Sequence, residues 1–79
     1  MISLDFTGKV AIVTGGARGV GLGITQRFLD SGADVVICGR NEPEGLPSAN
    51  GRSAVFVPCD VREPDQIDAL VKATTDRFG

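Results

Sequence analysis

The chain predicts an α/β fold: the N-terminal half of a doubly wound parallel sheet, with three parallel strands in the order 3-2-1 and flanking helices. Three observations carry this. Apolar runs at Lys9–Val13, Ala33–Cys38 and Ala54–Cys59 are short and continuous, the pattern of strands buried on both faces. A helical stretch follows the first run and another follows the third, so the order reads strand, helix, strand, loop, strand, helix. Right-handed crossovers then set the spatial order. The turn from the first strand into the first helix is rich in glycine, with Gly15, Gly19 and Gly21.

Each element has its own local reason. From Gly19 to about Asp30, Val20, Ile24 and Phe28 recur every four positions, with Gln26, Arg27 and Asp30 off that stripe. This predicts an amphipathic helix, stopped by Ser31-Gly32. In the second strand Val35, Val36 and Ile37 form the centre. Arg40–Arg52 holds two prolines and two glycines without apolar periodicity, which predicts a loop with at most one short turn of helix. Its thirteen residues suffice for a parallel crossover. Pro58 weakens the ladder at the end of the third strand. Pro64 opens the last helix, in which Ile67, Leu70, Val71, Thr74 and Phe78 mark one face. The first strand is left with a neighbour on one side only, a liability for a strand of central type. The expectation is a partial domain over residues 1–79, incomplete at its C-terminus.

Bulk properties exclude several classes. A chain of 79 residues allows one small domain, which on folding buries roughly 60–65% of its unfolded surface. The net charge of −2 gives no basic footprint for nucleic acid and no polybasic membrane patch. No apolar run has the length of a transmembrane span. Met1 to Gly8 carries Asp5 and lacks the basic and apolar regions of a signal peptide, so the expected location is cytoplasmic. Cys38 and Cys59 each sit in an apolar strand and read as buried small hydrophobes, not a disulfide. The sequence has no His, Trp or Tyr, which removes the commonest general base and leaves no metal-ligand set.

The glycines carry the chemistry. Gly15 can take the positive φ that a tight strand-to-helix turn needs. Gly19 and Gly21 remove the Cβ atoms that would block close approach of phosphates and of the helix to the sheet. Thr14 can tie the turn through its hydroxyl. With a strand before and a helix after, backbone N–H groups and a helix N-terminus come to the end of a buried strand, where a pyrophosphate can sit. At the end of the second strand an NAD-selective site places an acid for the ribose 2′-hydroxyl. Here the residues are Gly39 and Arg40, and Arg18 in the glycine turn is a second cation aimed at the same region. A bidentate guanidinium suits a 2′-phosphate, so NADP(H) is favoured over NAD(H). Asp60, at the carboxyl end of the third strand, can accept from the adenine amino group, with the backbone of Val61 at the ring edge. Alternatively, Asp60 tethers the loop before the last helix.

These residues resemble the short-chain dehydrogenase/reductase family, whose dinucleotide-binding domain has the Rossmann fold. Gly8–Gly15 is similar to the family's first strand, Thr14-Gly15-x-x-x-Gly19-x-Gly21 to its cofactor motif, and Asp60-Val61 to its adenine-contacting pair. Asp76-Arg77-Phe78-Gly79 looks like the segment that leads to a fourth strand. Arg18 and Arg40 lie where NADP-preferring members carry basic residues. The resemblance implies cofactor contacts from Thr14, Gly15, Arg18, Gly19, Val20, Gly21, Gly39, Arg40, Asp60 and Val61. It also implies a complete protein that moves hydride between nicotinamide and a carbonyl or alcohol and assembles as a dimer or tetramer. Two departures stand out. Residues 42–51 are too short and too rich in Pro and Gly for the family's second crossover helix. The family's catalytic Ser and Tyr-x-x-x-Lys have no counterpart in this sequence, so no catalytic residue is assigned.

A competing reading is a free-standing, non-catalytic nucleotide-binding or interaction module that buries the open sheet edge in a partner. A sugar-nucleotide epimerase of the extended relatives is disfavoured, because the spacing here is G-x-x-x-G-x-G and not G-x-x-G-x-x-G.

Overall fold

The computed structural model describes residues 6–79; the signal-peptide expectation for Met1 to Gly8 falls mostly outside the described residues. The elements are β1 (Val10–Thr14), α1 (Gly19–Asp30), β2 (Asp34–Gly39), β3 (Ser48–Ala49), β4 (Arg52–Ser53), β5 (Val55–Pro58) and α2 (Pro64–Phe78). The main sheet is parallel in the order β1-β2-β5, which is the 3-2-1 arrangement of the sequence reading. Each of the three strands begins one residue later than its apolar run. Thr14 pairs with Cys38, and Gly39 with Pro58, so all three strands end together at one rim.

The central strand explains why its sequence is continuously apolar. Val35, Val36, Ile37 and Cys38 are all buried, alternate residues facing opposite sides. On one side Val35 and Ile37 pack with Val13, Leu29 and Ala54 under α1. On the other, Val36 and Cys38 pack with Cys59 and Leu70 under α2. Among the described residues β1 pairs only with β2, and its Val10 and Ile12 are exposed.

Two expectations need correction. The face that α1 turns to the sheet is not the Val20-Ile24-Phe28 stripe. Thr25 and Leu29 are fully buried, whereas Val20 is 82% exposed, Ile24 is exposed and Phe28 is half-buried against Phe6. The helix approaches the sheet closely, so its contact face begins with the small residues Gly21 and Thr25. In α2, likewise, Leu70 and Thr74 are buried but Ile67 and Val71 are exposed.

The second correction concerns Arg40–Arg52, which contains a small hairpin and no helical turn. β3 and β4 pair antiparallel, with Ala49 opposite Arg52, around the two-residue turn Asn50-Gly51. Both turn residues have positive φ, 56° and 75°, as a two-residue hairpin turn of the primed type requires. The hairpin straps down the far end of α1. The Asn50 side-chain amide donates to the Leu29 and Asp30 carbonyls at 3.1 and 3.2 Å. Arg52 donates to the Gly32 carbonyl at 3.2 Å and to Asp34 at 3.0 Å. The helix itself closes as Ser31-Gly32 predicted. Gly32 has φ +93°, its N–H reaches Leu29, and the N–H of Ala33 reaches Phe28, both at 3.1 Å.

Candidate functional site

The three strand ends, the glycine turn and the loop after β5 enclose a groove with two lobes. One lobe, about 360 Å³, is lined by Thr14, Gly15, Cys38, Gly39, Arg40, Cys59, Asp60, Val61 and Arg62. The other, about 340 Å³, shares Gly15, Cys38, Gly39 and Arg40 and adds Arg18, with Ala17, Ile37, Asn41, Glu42, Pro43 and Phe56. Both volumes lie in the range of small-molecule sites. Of the ten residues singled out in the sequence, Thr14, Gly15, Gly39, Arg40, Asp60 and Val61 meet in the first lobe. Arg18 stands in the second, and Gly19, Val20 and Gly21 form the first turn of α1 beside them.

The glycine turn is held from below by backbone and packing. The N–H of Gly15, whose φ is +66°, donates to the Cys38 carbonyl at 2.9 Å. That bond closes the turn; the Thr14 hydroxyl makes no hydrogen bond among the described residues, contrary to its expected role. Gly19 has φ +53° and open space where a Cβ would stand. Gly21 differs: a Cβ there would run into the Gly15 carbonyl, so this glycine lets the helix press against its own turn. Gly16, which was given no role from the sequence, is wedged between Ile37 and Thr25. A Cβ on it would meet the Thr25 hydroxyl oxygen at 2.7 Å. That oxygen is buried without a partner among the described residues.

Electrostatically, the rim is mixed in sign. α1 starts at Arg18 with no side-chain cap and no acid in its first turn, so its first N–H groups and positive dipole end are left for an anion. Gly19 leaves room beside them, which fits a phosphate group. Arg18 and Arg40 line one lobe with a single carboxylate, Glu42. Asp60 is held by Arg62, a residue that carried no assignment from the sequence. Arg62 donates to it from its backbone N–H at 3.0 Å, from Nε at 3.0 Å and from Nη2 at 2.8 Å. These bonds lower the Asp60 carboxyl to about 2. The Asp60 backbone N–H donates to the Gln66 side chain at 2.7 Å, and its carbonyl accepts from Glu63 at 2.9 Å. Asp60 therefore does tether the loop into α2, and it lines the groove as well.

Cys38 and Cys59 lie at the floor, both buried and both free thiols. Burial, and then the neighbouring Cys59, push the Cys38 thiol up from its ordinary value. They pack as the small hydrophobes they were expected to be. Among the described residues no group of three metal-ligating side chains forms, and no helix is long and apolar enough to cross a membrane.

A family model described as short chain dehydrogenase matches residues 9–79. The chain belongs to the short-chain dehydrogenase/reductase family. It is 48% identical over 75 residues to L-fucose dehydrogenase of Oryctolagus cuniculus, covering 94% of this chain and 26% of that protein. To (+)-borneol dehydrogenase 1 of Salvia officinalis it is 42% identical over 80 residues, covering 99% and 31%. The crystal structure of levodione reductase superposes with a TM-score of 0.81 at 32% identity, over 94% of this chain and 31% of that one. The chain thus spans about a quarter to a third of the length of the relatives it matches.

Proposed function

We propose that residues 1–79 are a partial dinucleotide-binding domain of a short-chain oxidoreductase that uses NADP(H) in preference to NAD(H). The observation that carries this reading is the pair Arg18 and Arg40 on one lobe of the groove, with Gly39 where an NAD-selective site would place its acid. Two guanidiniums against the one carboxylate of Glu42 leave that lobe suited to a 2′-phosphate.

The residues divide the cofactor between them. Gly19, Val20 and Gly21 hold the pyrophosphate by backbone N–H groups at the start of α1, Gly15 makes the positive-φ turn that leads the chain there, and Thr14 borders it at the strand end. Arg18, Gly39 and Arg40 hold the adenosine ribose and its 2′-phosphate. Asp60 and the Val61 backbone meet the adenine edge. The bound cofactor supplies the hydride; this chain's part is to bind its adenosine half and fix its position. The complete protein acts on a carbonyl or alcohol of small-molecule size, in the cytoplasm, as a dimer or tetramer.

Replacing Arg40 by Asp tests this. The change removes one charge-assisted contact and adds a repulsive carboxylate, worth about 10–100-fold in relative affinity. Measured on the purified protein, Arg40→Asp moves the NADPH-to-NADH affinity ratio toward NADH by at least tenfold. An unchanged ratio overturns the assignment of β2's end.

A further inference from the structure

Three charged side chains, Arg40, Asp60 and Arg62, share one lobe of the groove, and they are not equivalent. Arg62 grips Asp60 through both carboxylate oxygens, in fork-to-fork geometry. Arg40 forms no ion pair among the described residues and is exposed. Yet Arg40 and Asp60 are near neighbours. The Cys59 N–H donates to the Gly39 carbonyl at 2.9 Å, so the two residues follow directly on a bonded pair at adjacent strand ends. Strands in such a ladder lie about 4.8 Å apart, well within the reach of an arginine. The positive charge of Arg40 already contributes to keeping Asp60 ionised.

We propose that Arg62 is a positioning residue: by occupying the Asp60 carboxylate it keeps the Arg40 guanidinium free for the 2′-phosphate. This rests on the NADP(H) reading above. Without Arg62, Asp60 is the acid that shares the first lobe with Arg40, at the adjacent strand end, and becomes its partner. A phosphate entering the site then has to displace that pair. Arg62 therefore governs cofactor choice without touching the phosphate. Its side chain is 72% exposed, so its removal leaves the core intact.

The test compares 2′,5′-ADP with 5′-AMP by titration calorimetry on the purified protein, since these ligands differ only by the 2′-phosphate. Wild type prefers 2′,5′-ADP. Arg62→Ala lowers that preference by roughly fivefold, the scale of one exposed ion pair gained by the free protein. Adding Asp60→Asn to Arg62→Ala removes the competing charge and restores the preference to within about twofold of wild type. A rescue of this kind is not expected of a residue that is merely structural. If Arg62→Ala keeps the full preference, the proposal fails. If the double variant stays as weak as the single one, Arg62 acts on the phosphate itself and the proposal again fails. A wild type with no preference between the two ligands overturns instead the NADP(H) reading beneath it.

Discussion

Replacing Gly21 by alanine places one methyl group where the helix meets its own turn. An ideal Cβ at that position stands 2.9 Å from the Gly15 carbonyl carbon, closer still to its oxygen, and 3.3 Å from the Gly16 Cα. Ordinary contact begins near 3.4 Å, so the turn must yield by at least about 0.5 Å at the carbonyl carbon, and by more at the oxygen. These are backbone atoms and cannot rotate aside. Overpacking of this kind costs about 1–3 kcal/mol. On the proposed function, the same shift carries the N–H groups at the start of α1 away from a bound phosphate. Losing one charge-assisted bond there lowers cofactor affinity by about 10–100-fold. Gly23→Ala is the internal control: it lies in the same helix, its φ is not positive, and nothing stands within 4 Å of its Cβ position. That change removes a helical glycine and is expected to stabilise by about 0.5–1 kcal/mol. The assays are urea denaturation and fluorescence titration with NADPH, on both variants beside wild type. If Gly21→Ala unfolds and binds like Gly23→Ala, the close approach of helix and turn does not constrain the site.

Two further outcomes follow from the packing and the charges. Leu29 is fully buried among Val13, Val35, Ile37 and Ala54, so Leu29→Ala should lower the unfolding free energy by about 2–5 kcal/mol in the same denaturation assay, and a loss below 1 kcal/mol would contradict its place in the core. The Asp60 carboxyl is depressed from 3.8 to about 2 in the folded chain. Its stabilising contribution is therefore complete above about pH 4 and lost as pH falls through about 2. The stability difference between wild type and Asp60→Asn should stay flat from pH 8 to 5 and narrow only below pH 4; a difference that changes between pH 5 and 8 would assign the titration to another group.

Much of this fold was legible because a parallel strand buried on both faces writes itself as an unbroken apolar run, and Val35–Cys38 does so without ambiguity. The helix boundaries were equally plain, since Gly32 and Pro64 act through backbone geometry that depends little on neighbours. The contact face of α1 was not. Counting large apolar residues points to Val20 and Ile24, but a helix that touches a glycine turn must present small residues, and Gly21 and Thr25 carry no hydrophobic signal. Gly16 has the same difficulty, because its constraint comes from Ile37 and Thr25, distant in sequence.

The hairpin turn was in view as Asn50-Gly51, the strongest short hairpin signal there is. It was masked because the flanking Ser48-Ala49 and Arg52-Ser53 lack alternating apolar residues. Arg62 could have been found from its spacing. An Asp two residues before an arginine can accept both its backbone N–H and its guanidinium, as Asp60 does here.

The most direct measurement is an equilibrium titration of the purified wild-type protein with NADPH and with NADH under identical salt and pH. On the proposed NADP(H) reading NADPH binds at least tenfold more tightly, because the 2′-phosphate that NADH lacks would meet Arg18 and Arg40 on the lobe they share. Equal binding, or a preference for NADH, would contradict the claim that the end of β2 reads the 2′-phosphate.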